Sequence, residues 1–137
     1  MSKPTLILGV MSGTSLDGLD LALSRFTKIE DKFHYEILKT DFIPYNIKIK
    51  KNLSEAHKLN TYDFLTLHKN YGSYIGKQIN EFLINTENPD YIASHGHTIF
   101  HNPNEKITFQ RRICFILSST RVVYRLSTGS TGFKRKG

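Results

Sequence analysis

The 137-residue sequence predicts an α/β lobe with the element order β-β-β-α-α-β. Three observations carry that prediction. Short apolar runs separated by turn residues fill positions 5–38, the hydrophobic period then lengthens from two to between three and four over positions 61–85, and a short apolar stretch follows at 91–93.

Thr5 to Val10 is a nearly continuous apolar run ending at a loop rich in Gly and Ser, the pattern of a buried strand. Beyond the loop, Leu19, Leu21 and Leu23 alternate with Asp20, Ala22 and Ser24, the period of a half-buried strand. A polar turn at Lys28–Lys32 leads into a third run, Phe33 to Leu38, and such tight connections predict an antiparallel meander. Asn46 to Leu59 is charged and helix-permissive, although Asn52 and Ser54 weaken it. The stronger helix runs from Thr61 to about Asn85, where Phe64, Leu67, Tyr71, Ile75, Ile79 and Phe82 recur at steps of three and four. Asn60 or Thr61 caps its start, Asp63 lies in the first turn where the helix dipole favours an acid, and Asn88-Pro89-Asp90 stops it. Tyr91-Ile92-Ala93 is then a further buried strand delivering the chain to Ser94-His95-Gly96-His97-Thr98. The aromatic residues Phe64, Tyr71 and Phe82 are core positions, and Lys48, Lys50 and Lys51 form a solvated face.

Composition excludes several classes. With 39% hydrophobic and 23% charged residues the chain suits one globular domain rather than a disordered, collagenous or disulfide-built one. No apolar stretch approaches the roughly 20 residues a membrane-spanning helix needs. The apolar run after Lys3-Pro4 is too short for a signal peptide, so a cytoplasmic location is expected. Cys114 stands alone, with neither a disulfide partner nor a Cys/His cluster for zinc. The net charge of +7 is unevenly placed: residues 1–110 hold twelve basic and twelve acidic residues, whereas residues 111–137 hold seven basic residues and no acid.

Chemistry concentrates between the first two strands, in Gly9-Val10-Met11-Ser12-Gly13-Thr14-Ser15-Leu16-Asp17-Gly18. Gly residues let a backbone approach an anion, and successive turn N–H groups can converge on a phosphate. The hydroxyls of Ser12, Thr14 and Ser15 add donors, and Asp17 offers an oxygen ligand to Mg²⁺, directly or through water. There is no Lys of the Walker type here, and a Gly/Ser/Asp-rich hairpin is, on spacing alone, most often only a turn.

The order of residues from Gly9 to Asp20, Gly-Val-Met-Ser-Gly-Thr-Ser-Leu-Asp-Gly-Leu-Asp, resembles the N-terminal signature of the anhydro-N-acetylmuramic acid kinase family within the sugar kinase/Hsp70/actin superfamily. Ser94-His95-Gly96-His97-Thr98 is similar to a second segment of that family. The resemblance covers residues 5–110 and implies the incomplete N-terminal part of an actin-like (ribonuclease H-like) ATPase lobe. It further implies an ATP- and Mg²⁺-dependent kinase that converts 1,6-anhydro-N-acetylmuramic acid to N-acetylmuramic acid 6-phosphate in cell-wall recycling, dimeric at full length. By the same resemblance Ser12, Gly13, Thr14, Ser15, Leu16, Asp17, Gly18 and Leu19 lie against the ATP phosphates. Many superfamily members open this loop with Asp where Met11 stands, and this family carries Met. His95 and His97 have two readings: they hydrogen-bond the backbone and shape a cleft, or, as the resemblance favours, they contact sugar hydroxyls. At i and i+2 on an extended segment they would face opposite ways, although Gly96 makes a turn equally compatible. His101 is read as a surface residue near the turn at Asn102-Pro103-Asn104.

After Gln110 the family pattern stops. Residues 111–137 read as a basic, non-homologous tail, out of frame on a truncated kinase, although Ile113–Leu117 and Val122–Tyr124 have strand composition. The family's catalytic carboxylate then lies beyond this chain, and no turnover by the chain alone is expected. A noncatalytic nucleotide-binding fragment is the alternative. A small nucleic-acid-binding protein would rest on Phe115, Tyr124 and Phe133 among the tail's basic residues, but the balanced body offers no basic face, so neither nucleic acid nor membrane is expected as a partner.

Overall fold

The computed structural model describes the backbone of residues 3–13, 15–102, 107–111 and 121–124, and side chains through residue 96. Among these residues, seven strands and two α-helices follow in the order β1 (Thr5–Ser12), β2 (Gly18–Ile29), β3 (Lys32–Pro44), α1 (Ile47–Ser54), a 3₁₀ turn at Ala56–Lys58, α2 (Thr61–Phe82), β4 (Tyr91–Ser94), β5 (His97–Asn102), β6 (Ile107–Arg111) and β7 (Arg121–Tyr124). Five strands form one sheet in the order β3-β2-β1-β4-β7, and β5 and β6 pair as a separate antiparallel ribbon. The meander expected from the sequence is present: β1 pairs antiparallel with β2, and β2 with β3. After α2 the chain returns beside β1 in parallel, and β7 lies parallel to β4.

Alternation decides which face of the sheet is buried. Leu6, Leu8 and Val10 of β1, Leu19, Leu21 and Leu23 of β2, and Ile92 of β4 all point to one side. There they meet Tyr71, Ile75, Ile79 and Phe82 of α2, spaced by three and four residues, and Leu53 of α1. Leu8, Leu19, Leu21, Leu23, Ile75, Ile79 and Ile92 are fully buried, and each contributes about 1.5–3 kcal/mol relative to exposure. The other face carries shorter or partly exposed residues from the same strands.

Local chemistry fixes the helix ends. Asn60 is the N-cap of α2: its side-chain oxygen accepts from the Asp63 N–H at 2.9 Å while its amide donates to the Asp63 carboxylate at 2.8 Å. Asn46 caps α1 in the same way through the Ile49 N–H. Helix α2 ends at Phe82, earlier than the residue pattern suggests, because Asn85 takes a left-handed conformation (φ 60°) well before Pro89. Lys39, reaching across from β3, donates to the Phe82 carbonyl and lies 4.7 Å from its ring centroid, placing a cation at the negative end of the helix. Asp90 fastens β4 to β1 twice, since its N–H donates to the Leu6 carbonyl and its carboxylate accepts the Leu6 N–H, both at 2.8 Å.

The third strand is longer than its sequence pattern. A bulge opposite Leu23 and Ser24 lets β3 run from Lys32 to Pro44 instead of ending at Leu38. It brings Phe42 and Ile43 over the start of β2, where the candidate site begins.

Candidate functional site

Strands β1 and β2 are paired up to Ser12 and Leu19, so residues 13–17 leave the ladder as a loop over the strand ends. Two backbone bonds shape it. The Leu16 N–H donates to the Gly13 carbonyl at 3.3 Å, and the Tyr45 N–H donates to the Asp17 carbonyl at 3.0 Å. Leu16 takes a positive φ of 58°, uncommon for a branched side chain, and its side chain packs against the core. Ser15 and Asp17 are exposed, while Thr14 lies outside the described residues.

The loop is anchored from beneath by three buried hydroxyls. Tyr45 and Tyr71 each donate to the Ser12 Oγ at 2.7 Å, and their own phenol oxygens are 2.6 Å apart. The two rings meet edge to face with centroids 6.2 Å apart, and Tyr74 stacks on Tyr71 at 6.4 Å. Burial pushes the Tyr71 hydroxyl far above its ordinary pKa, and burial also raises Tyr45, against the partly opposing effect of its bonds to Ser12 and Tyr71. All three groups are therefore neutral donors and acceptors at physiological pH. The Ser12 hydroxyl faces this cluster inside the core.

The loop's glycines have different reasons to be glycine. A Cβ on Gly18 would stand 2.4 Å from the Ile43 carbonyl oxygen and 2.7 Å from the Phe42 ring, so β3 itself demands the absence of a side chain. Among the described residues, a Cβ on Gly13 would meet only Ser15, at 3.4 Å or more, which is ordinary contact. Leu19, the last residue of the expected phosphate segment, is fully buried in the core.

His95 follows the last residue of β4, and its N–H donates to the Val10 carbonyl at 3.1 Å. Its Nδ1 is enclosed and has no hydrogen-bond partner among the described residues. Gly96 then turns the chain through a positive φ of 73°, with its N–H donating to the buried Ser94 Oγ, so His95 and His97 belong to different elements. His97 opens β5 opposite Arg111, and its side chain, like that of His101, lies outside the described residues, as does Cys114 entirely. No group of three or more His, Cys, Asp or Glu side chains suited to a metal occurs among the described residues. None of their helices is long and apolar enough to cross a membrane.

A β3-β2-β1-β4-β7 sheet, covered by a crossover helix and carrying a glycine hairpin at the ends of its first two strands, defines the N-terminal lobe of an actin-like kinase. Comparison with known proteins narrows this. The family described as anhydro-N-acetylmuramic acid kinase matches residues 5–123, past the end expected at 110 and through most of β7. The chain belongs to that family. It is 39% identical over 112 residues to an anhydro-N-acetylmuramic acid kinase of Pseudoalteromonas translucida, covering 76% of this chain and 28% of the relative. It is 34% identical over 113 residues to one of Mannheimia succiniciproducens, covering 77% and 29%, and 29% identical over 136 residues to one of Francisella tularensis subsp. novicida, covering 93% and 35%. The chain thus spans about a third or less of the length of these relatives.

Proposed function

We propose that this chain supplies the ATP-phosphate-binding hairpin of an ATP-dependent kinase acting on 1,6-anhydro-N-acetylmuramic acid, with N-acetylmuramic acid 6-phosphate as product. The supporting observation is the loop at residues 13–17: it leaves the strand ladder, it is pinned at Ser12 and Asp17, and Gly13 is open on a side that the protein's own packing does not use. An exposed backbone with no Cβ at Gly13 fits a phosphate, which must approach peptide N–H groups closely. The exposed Ser15 hydroxyl adds a donor, and the exposed Asp17 carboxylate offers the oxygen chemistry that Mg²⁺ prefers, through water. Bound Mg²⁺ would neutralise phosphate charge.

In this role the chain's residues position rather than react. Ser12 contributes its backbone and its anchorage to Tyr45 and Tyr71, not its hydroxyl. Phosphoryl transfer depends on holding nucleotide, metal and acceptor together. The chain matches 28% and 35% of the length of two relatives, and ATP binding by the hairpin is the part of the activity proposed for it. A cytoplasmic location belongs to the same proposal.

The test is calorimetric titration of the chain with Mg·ATP, with Asp17→Ala as the comparison. Saturable binding that weakens in the variant is expected. Heats indistinguishable from dilution at millimolar nucleotide would refute the proposal.

A further inference from the structure

One residue outside the glycine hairpin touches it at both ends. Tyr45 directly follows β3 and precedes Asn46, the N-cap of α1. Its N–H donates to the Asp17 carbonyl at 3.0 Å, where the loop rejoins β2. Its phenol donates to the Ser12 Oγ at 2.7 Å, at the last residue of β1 and 33 residues earlier in the chain. The ring between these two contacts is only 4% exposed and meets both Tyr71 and Tyr74 edge to face, with centroids 6.2 Å apart in each case. A side chain so enclosed cannot shift without unpacking its neighbours, so the core sets the separation of the loop's two ends.

Between those ends lies a strained backbone. Leu16 has a φ of 58°, and the left-handed conformation disfavours a leucine by a factor of about 5–30, a penalty glycine escapes. Such a conformation persists only where its surroundings over-determine it. The Leu16 N–H reaches the Gly13 carbonyl at 3.3 Å, a long bond that does little to hold it. Two stronger restraints remain: the Leu16 side chain packs against the buried core, and Tyr45 fixes the next residue through the Asp17 carbonyl. A turn closed by a left-handed residue is also a backbone that converges successive N–H groups on an anion, here those of the stretch from Ser15 to Asp17.

We infer that Tyr45 is a positioning residue for phosphate: it clasps both ends of residues 13–17 and holds Leu16 in the left-handed backbone that makes the loop ready to bind. The inference rests on the phosphate-loop function proposed above. Tyr45 touches no ligand in this role, and Leu16 acts through a side chain turned into the core. When the clasp is weakened the loop relaxes, and apparent affinity falls in proportion to the fraction of chains still in the strained form.

The test is an NMR titration of the ¹⁵N-labelled chain with Mg·ATP and, separately, with inorganic tripolyphosphate, read at the amides of residues 15–17. Tyr45→Phe keeps the ring and the N–H but loses the bond to Ser12, and should weaken both ligands about 2–12-fold, the effect of one hydrogen bond. Leu16→Ala keeps the strain and loses the buried anchor, and should weaken them about tenfold. Leu16→Gly loses both, so it should bind several-fold more tightly than Leu16→Ala, the reverse of the order glycine's flexibility imposes where no strain is stored. Leu16→Met restores a long unbranched side chain and is expected to recover most of the affinity that Leu16→Ala loses. A merely structural role would lower the unfolding midpoints and leave the folded variants with equal affinities. Equal affinity in Tyr45→Phe and the unmodified chain, or tighter binding by Leu16→Ala than by Leu16→Gly, overturns the inference. If Leu16→Ala does not fold, Tyr45→Phe, whose ring keeps its place in the core, decides alone. Amides 15–17 silent to both ligands in the unmodified chain refute the phosphate-loop function itself, whereas binding indifferent to these substitutions refutes only the clasp.

Discussion

Replacing Tyr71 by Phe removes one oxygen from a buried cluster of three hydroxyls while keeping the ring that packs on Tyr45 and Tyr74. The Tyr71 hydroxyl carries one hydrogen, donated to Ser12 Oγ at 2.7 Å, so one bond is lost together with the 2.6 Å approach to Tyr45. At a net of about 0.5–1.5 kcal/mol per bond, that is the expected cost. The lower half of that range is expected, because Tyr45 keeps Ser12 as its acceptor. Ser12→Ala differs: both phenols lose their shared acceptor, and only one can donate to the other, so a cost of about 1–3 kcal/mol follows from the hydroxyl left unpaired. Urea unfolding reads these values. With a slope of about 1–2 kcal/mol per molar for a chain of this size, the Tyr71→Phe midpoint should fall by about 0.5 M. The two substitutions touch one network, so their double-mutant cycle should give a coupling of about 1 kcal/mol. A Tyr71→Phe midpoint equal to that of the unmodified chain, or strict additivity in the cycle, would refute the claim that the loop after Ser12 is anchored from below.

Two other outcomes separate folding from binding. Gly18→Ala forces a methyl group against the Ile43 carbonyl and should destabilise by about 1–3 kcal/mol, whereas Gly13→Ala should change the unfolding free energy by no more than about 0.5 kcal/mol and weaken ATP binding in calorimetry; the reverse pattern would show that the two glycines were misassigned. Burial raises the hydroxyl pKa of Tyr45, Tyr71 and Tyr74 above the unfolded value of about 10, so their neutral forms contribute stability that is complete below that pH and is lost as pH climbs through the folded values. The urea midpoint should therefore decline above about pH 10, and Tyr71→Phe should flatten that decline; an alkaline limb unchanged by the substitution would count against it.

Much of the frame was legible because it is periodic. Leu19, Leu21 and Leu23 announce a strand by alternation, and Tyr71, Ile75, Ile79 and Phe82 announce a helix by their steps. The caps at Asn60 and Asp63 were readable for the same local reason. The extension of β3 beyond Leu38 was not, because a bulge restores pairing only through the partner strand. Nor was the end of α2, since Asn85 in a left-handed conformation leaves no mark as plain as glycine. In the site, the loop could be found from its residue order, but its support could not. Tyr71 reads as one more core aromatic, and Ser12, its hydroxyl partner, lies 59 residues away.

The clash that β3 reserves for any side chain at position 18 bears on how such signatures change over time. Gly13 and Gly18 sit in one motif, but packing forbids a side chain only at the second, while the first answers to a ligand on the function proposed above. In a lineage that stopped binding ATP yet kept its folded lobe, position 13 would be free to drift while position 18 stayed fixed. The two glycines together act as a record, one dating the loss of an activity and the other the loss of a fold.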